Sequence, residues 1–251
     1  MSKNFELLQK MGKEDLLNST AAGNGHSILN PAGNAAAVTP QPVKPGLEEV
    51  SSFVQQVFLV SGGNVPRTVV FTSTEPGTGC TWVAAHTAEV LAGRIAGSVC
   101  VIDANLREPS LHQQFGLENG PGLADFLQQP DPIRAAIRGT SLPNLYVITA
   151  GKAAEDSQPL LASDRMRMRI HELRSEFDFV LIDAPAMSTG SDAISLGSLS
   201  DGVVLVLKAN TSRKQTARQA VQSLQEGNAK VLGAVLNQRQ FPIPESIYKR
   251  L

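Results

Sequence analysis

The stretch Val69-Val70-Phe71-Thr72-Ser73-Thr74-Glu75-Pro76-Gly77-Thr78-Gly79-Cys80-Thr81 runs from an apolar strand into a Gly-rich turn, and Ala84, Ala85, Ala88 and Leu91 then fall on one side of a helix. Strand, Gly-rich turn, helix is the context in which a phosphate-binding loop works. Backbone N–H groups of the turn and the helix N-terminus converge on one spot and favour an anion there. Gly77 and Gly79 permit positive φ and close backbone approach. Thr81 stands where a hydroxyl would hold Mg²⁺, but the motif asks for lysine just before it, and this chain has Cys80. Taken alone, the turn has two readings: a phosphate loop, or a structural connection between strand and helix.

Two acidic residues extend the pattern. The apolar run Val99-Cys100-Val101-Ile102 ends at Asp103, and Phe179-Val180-Leu181-Ile182 ends at Asp183. Ligands of open α/β sheets bind at the carboxyl ends of strands. An apolar strand ending in Asp is also the pattern whose carboxylate holds Mg²⁺ directly or through water. Either aspartate alone could cap a turn. Three signals in this order, each at a strand's carboxyl end, indicate P-loop ancestry.

Outward from this centre, strand candidates at 68–72, 98–102, 145–149, 179–182, 202–207 and 230–236 alternate with helical patterns at 47–60, 81–96, 160–176 and 213–226. Continuous apolar runs suit a parallel sheet covered on both faces. The fold expected is α/β: a P-loop NTPase-like, mostly parallel central sheet flanked by helices, over residues 47–240. Residues 1–17 read as a short amphipathic helix, with Phe5, Leu8 and Met11 on one face; it either docks on its own domain or serves a partner. Residues 18–46, rich in Ala, Gly, Asn, Ser and Pro, read as a flexible linker, and 241–251 as a C-terminal tail. There is no internal repeat.

Composition excludes several classes. The chain has 251 residues, 22 basic against 23 acidic, and 18% charged residues, below the usual ~25%. This near-neutral balance argues against a nucleic-acid or membrane-coating protein. No apolar run reaches the ~18–20 residues that span a bilayer. Cys80 and Cys100 cannot make a disulfide framework. The expected location is cytoplasmic, peripheral to a membrane only through a partner.

From about residue 46 to 239 the chain resembles the bacterial tyrosine kinases of capsule and exopolysaccharide synthesis (BY-kinases), relatives of the MinD/ParA ATPases. Thr72-Ser73-Thr74-Glu75-Pro76-Gly77-Thr78-Gly79 is similar to the family's T-S-x-E-P-G-x-G loop; ParA-type proteins would carry lysine at 75 and glycine at 76. The stretch from Val101 to His112 is similar to its I-D-x-D-x-R-x-P-x-x-H motif. Phe115-Gly116-Leu117 and Pro121-Gly122-Leu123 match the family's residues just beyond that motif. Phe177 to Pro185 resembles F-D-x-V-I-I-D-[ST]-P-P, and Ser191-Asp192-Ala193 and Val235-Leu236-Asn237 also match. The resemblance implies that Pro76, Gly77, Thr78, Gly79, Cys80, Thr81 and Asn237 (beside the adenine) contact ATP or ADP. It further implies that Thr81, Asp103 and Asp183 hold Mg²⁺, with Asp103 and Asp183 catalytic if the chain is active. The partner it implies is a membrane chain-length-determinant or export protein, with at most weak homo-oligomerisation and no nucleic acid.

The departures fall on the chemistry. Cys80 replaces the phosphate-gripping lysine, Asn105 the second Asp, and Ala184 the Ser/Thr after Asp183. The family's ring-forming E-x-x-R-x-x-R helix aligns with Glu49 to Gln55, where both arginines are missing, and of its tyrosine cluster only Tyr248 lies near the end. Each charge-assisted bond to phosphate contributes ~1.5–3 kcal/mol, and losing ~3 kcal/mol weakens binding about a hundredfold. The expectation is a degenerate kinase-like subunit with weak or absent Mg²⁺–nucleotide binding; the alternatives are a working autokinase or ATPase with an unusual loop, and a MinD/ParA-like positioning protein, which Glu75-Pro76 disfavours. Cys80 itself is either a space-filler or, at a helix N-terminus, a thiol of lowered pKa. Arg165, Arg167 and Arg169 are read as a solvated helix face against a basic stripe, Trp82 as helix–sheet packing, and the four histidines show no metal-ligand spacing.

Overall fold

The computed structural model describes residues 47–59, 65–152 and 157–238. The amphipathic helix at 1–17, the linker at 18–46, the tail at 241–251 and Tyr248 lie outside the described residues. Helix α1 (Leu47–Val54) runs into a π-helical turn (Gln55–Leu59). Strand β1 (Thr68–Ser73) is buried at every residue and feeds α2 (Cys80–Ala92) through the Gly-rich loop. Then come β2 (Val99–Asp103), the short α3 (Leu111–Gln114), α4 (Leu123–Gln128), β3 (Arg138–Gly139) and β4 (Leu145–Ile148). The rest is α5 (Gln158–Leu161), α6 (Asp164–Glu176), β5 (Phe179–Asp183), α7 (Asp192–Ser198), β6 (Gly202–Lys208), α8 (Lys214–Glu226) and β7 (Val231–Asn237).

The strands form one sheet in the order β3-β4-β2-β5-β1-β6-β7. Every pairing is parallel except β3 with β4, where Arg138 opposes Val147. The mostly parallel sheet flanked by helices is the α/β, P-loop NTPase-like arrangement expected from the sequence. Alternate side chains divide between two cores, as a period of two requires. Val69, Phe71, Val99, Val101, Leu181, Val204 and Val206 pack with α1 and α2. Val70, Cys100, Ile102, Val180, Ile182 and Val203 pack with α4, α6 and α7. At 25 cal/mol per Å², a fully buried Val, Leu or Phe contributes ~1.5–3 kcal/mol, which is why the continuous apolar runs lie at the sheet's centre.

Three boundaries differ from the sequence pattern, each for a local reason. The helix expected over 160–176 is two: Ser163 caps α6, its Oγ accepting from Met166 N at 3.2 Å, and separates it from α5. The helix expected over 81–96 stops at Gly93. The helix expected over 47–60 ends in the π turn, which sets Phe58 edge-on to Phe179 at 5.8 Å between ring centroids. β3, α3, α4 and α7 were not anticipated.

Candidate functional site

The Gly-rich loop leaves the C-terminal end of β1 and turns back into α2. Gly77 and Gly79 have φ of 76° and 79°, the left-handed region that favours glycine. The two glycines are required for different reasons. A Cβ on Gly77 would meet open space, whereas one on Gly79 would lie 2.4 Å from Asn237 Nδ2. Asn237, the last residue of β7, donates through that Nδ2 to Thr78 O at 2.8 Å, and Gln238 Nε2 reaches Gly77 O at 3.4 Å. On the other side, Ser188 N donates to Thr74 O at 3.2 Å, and Thr72 Oγ1 to Pro185 O at 2.8 Å. The loop is therefore held between the end of β7 and the turn after β5. Thr74 and Thr78 carry buried hydroxyls without partners among the described residues.

Asp103 and Asp183 end neighbouring strands in register, each almost fully buried. Asp103 accepts backbone N–H bonds from Asn105 at 3.1 Å, Ser110 at 3.1 Å and Leu111 at 2.9 Å. Burial nonetheless raises its pKa to about 6, against the lowering effect of those three bonds. Asp183 is pushed to about 8, by burial first and by the charge of Asp103 second; the Thr81 hydroxyl and the Cys80 thiol against it partly offset the rise. Its Oδ2 has no hydrogen-bond partner among the described residues. Ser110 Oγ donates to Thr81 Oγ1 at 3.2 Å, so α3 also touches the start of α2. Asn105, in place of a second acid, closes its own turn: its Nδ2 donates to Glu108 O at 2.9 Å and its Oδ1 accepts from Glu108 N at 3.3 Å.

The structure brings Thr78, Gly79, Cys80, Thr81, Asp103, Asp183 and Asn237 to one end of the sheet. Pro76 and Gly77 lie on its exposed rim. Of the two readings of Cys80, the thiol of lowered pKa is corrected. Desolvation, then the charge of Asp183 and a hydrogen bond to it, push the thiol well above its ordinary value. Burial, with the neighbouring Asp183 carboxyl, outweighs the helix N-terminus, whose effect is worth only ~0.3–1 kcal/mol at exposed sites. Among the described residues no group of three or more His, Cys, Asp or Glu has metal-binding geometry, so a cation here needs hydroxyl, solvent or phosphate oxygens as well.

A clasp beside the site escaped the sequence reading. Arg107 Nε donates to Ser157 Oγ at 3.0 Å, its Nη1 to Thr189 O at 2.6 Å, and its Nη2 lies 3.5 Å from Asp192 Oδ2. Ser157 Oγ in turn donates to Asp192 Oδ2 at 3.0 Å. These residues are far apart in the chain, and no local spacing signals their meeting. The three arginines of α6 also part company. Arg167 is exposed, Arg165 donates to Leu127 O at 3.0 Å, and Arg169 is buried against Phe126 O, Gln129 O and Asp131 O and paired with Glu172. Arg169 thus belongs to neither expected reading. Trp82 stacks on His86 with ring centroids 4.1 Å apart.

No family model matches the chain. The tyrosine-protein kinase YwqD of Bacillus subtilis is 31% identical over 208 residues, covering 83% of this chain and 87% of that protein. The putative tyrosine-protein kinase CapB of Staphylococcus aureus is 28% identical over 201 residues, covering 80% and 88%. The putative tyrosine-protein kinase EpsB of Ralstonia nicotianae is 31% identical, but the match spans only 26% of its length. Among solved structures, the chimerical protein CapA2B2 superposes with a TM-score of 0.74 at 26% identity, covering 80% of this chain and 88% of that one. The cell division ATPase MinD of Pyrococcus furiosus gives 0.59 at 26%, covering 73% and 78%. The loop, the paired strand-end acids and these likenesses agree, and the chain belongs to the bacterial tyrosine kinase (BY-kinase) family of P-loop proteins.

Proposed function

We propose that this protein is a catalytically degenerate BY-kinase-like subunit of exopolysaccharide or capsule biosynthesis and export, with a regulatory or scaffold role beside a membrane chain-length-determinant or export protein. One observation carries the reading. The phosphate loop, Thr81, Asp103 and Asp183 keep the arrangement of a nucleotide site, while Cys80 at the lysine position lies against a buried, proton-retaining Asp183 and supplies no charge. Loop N–H groups and Asn237 would hold ATP or ADP. Thr81, Asp103 and Asp183 would hold Mg²⁺, which supplies charge neutralisation between phosphate oxygens. Without the lysine, charge developing on a transferring phosphoryl group loses a main stabiliser.

Two further features support a non-kinase role. Tyr146 is half-buried on β4 with its ring 5.3 Å from that of Phe177, a poor phosphoryl acceptor. On α1 and the turn after it, Ser52 and Gln55 are exposed where the family resemblance places the two ring-forming arginines, so the isolated protein is a monomer or small oligomer. Residues 1–17 are the handle offered to the partner, residues 18–46 its tether, and the domain over 47–240 the body. The test is calorimetry with Mg²⁺–ATP on the purified chain, followed by mass spectrometry. Binding weaker than micromolar and no phosphate on Tyr146 or Tyr248 are expected. Micromolar or tighter binding, or phosphate on Tyr248, overturns the reading in favour of an active autokinase. Unchanged co-purification of the partner after deleting residues 1–17 refutes the handle.

A further inference from the structure

The residue that replaces the loop lysine brings sulfur to the end of β5. Cys80 and Thr81 open α2, and β1 pairs with β5 through Phe71 and Asp183, so the loop returns to the edge of the Asp183 carboxyl. Both side chains lie against that carboxyl. Asp183 is 1% exposed and its Oδ2 is unpartnered among the described residues. Asp103 differs: its oxygens already accept from the N–H groups of Asn105, Ser110 and Leu111, so it would reach an ion through water and not by direct ligation.

We propose that Cys80 Sγ, Asp183 Oδ2 and Thr81 Oγ1 form a site for a thiophilic divalent cation of the zinc, cadmium or cobalt(II) class, with the sulfur as a direct ligand. Lysine at position 80 would repel such an ion, whereas cysteine offers it a ligand. Thiolate and carboxylate together balance a charge of two, and the unpartnered Oδ2 gains the partner that it lacks. As the metal binds, the thiol proton of Cys80 and the proton that Asp183 retains both leave to solvent, and no electron is transferred. Soft sulfur favours these ions over Mg²⁺, which takes hard oxygen ligands. Water or a phosphate oxygen completes the coordination, leaving an open position as in non-structural zinc sites. The inference rests on the reading of the loop and the β5 end as a cation–nucleotide site, but sulfur coordination is a separate property.

The experiment is titration of the reduced, full-length protein with Co²⁺ alone, without nucleotide, watched for the near-ultraviolet sulfur-to-metal charge-transfer band. The band is expected in the wild type and in Cys100→Ala, which removes the other thiol. It is expected to be absent in the near-isosteric Cys80→Ser, with Co²⁺ affinity at least tenfold weaker there and in Asp183→Asn. Mg²⁺ at equal concentration should not displace the cobalt. A wild-type protein without the band overturns the proposal, whatever the variants do. Retention of the band in Cys80→Ser, or unchanged affinity in Asp183→Asn, overturns it equally. Calorimetry with Mg²⁺–ATP does not register sulfur ligation, so failure of this inference and failure of the functional reading are separately visible.

Discussion

Replacing Cys80 by lysine restores an ammonium beside two buried carboxyls. In the protein alone, the new charge compensates Asp183, whose pKa burial and Asp103 have raised to about 8. Each unit by which that pKa falls is worth ~1.4 kcal/mol between the two protonation states. A cation at the N-terminus of α2 costs ~0.3–1 kcal/mol against the helix dipole, so compensation of the carboxyl wins. Toward a nucleotide, the ammonium adds at least one charge-assisted bond to phosphate, ~1.5–3 kcal/mol, which converts to roughly a ten- to hundredfold gain in affinity. The assay is calorimetric titration with Mg²⁺–ADP, which binds without turnover, on the wild type, Cys80→Lys and Cys80→Met. Methionine supplies the long stem without the charge. Cys80→Lys should bind at least tenfold tighter than both others. If Cys80→Lys binds no better than Cys80→Met, the remaining loop and acids do not form a phosphate site, and the reasoning from their geometry fails.

Three further outcomes rest on individual contacts and charges. The folded-state pKa values of Asp183, about 8, and Asp103, about 6, lie above the ordinary value of 3.8. The native state therefore retains protons that the unfolded chain releases. Their contribution is intact below the unfolded pKa and is lost as pH rises through the folded values. Denaturant titrations of the wild type and Asp183→Asn should coincide below pH ~4 and diverge progressively, by a few kcal/mol by pH ~8, with the asparagine variant the more stable. Parallel curves would refute the raised pKa. Gly79→Ala must hold a left-handed φ and displace Asn237, at a cost on the order of 2–3 kcal/mol, while Gly77→Ala, with open space at its Cβ, pays for φ alone; equal melting temperatures for the two would contradict the close approach. Arg169→Met leaves the carbonyls of Phe126, Gln129 and Asp131 without their donor and should cost about 3 kcal/mol by denaturant titration, against under ~0.5 kcal/mol for the exposed Arg167→Met.

The central strands could be read from sequence because their signal is local and strong. Thr68 to Ser73 and Phe179 to Asp183 are apolar runs buried on both faces, and an acid at such a run's end has few roles open to it. The loop could be read for the same reason: Gly77 and Gly79 at that spacing serve a strand-to-helix turn. β3 could not, being two residues long and defined only by its pairing with β4. α7 was hidden because Asp192 to Ser198 is a short stretch with little periodicity, whose burial depends on the sheet face behind it. The clasp of Arg107, Ser157 and Asp192 depends on the loop after β2 meeting the starts of α5 and α7, and the strand order that brings them together is a tertiary property. Cys80 shows the limit most sharply. Local reasoning about a helix N-terminus left a lowered pKa as one of two readings, and burial, with the Asp183 carboxyl contributed by a strand distant in the chain, turns the pKa upward.

The bond from Asn237 to Thr78 O ties the phosphate loop to β7, which ends the strand order and whose residues are mostly half-exposed. An outermost strand is where a sheet opens first, at a free energy well below that of global unfolding. The loop's lifetime in its gripping shape is therefore set by fraying at the sheet's margin as well as by its own glycines. Amide exchange at Thr78 and along β7 should rise and fall together as denaturant is added. A macromolecule that added a strand to that margin would stiffen the loop from a distance, without touching the anion pocket.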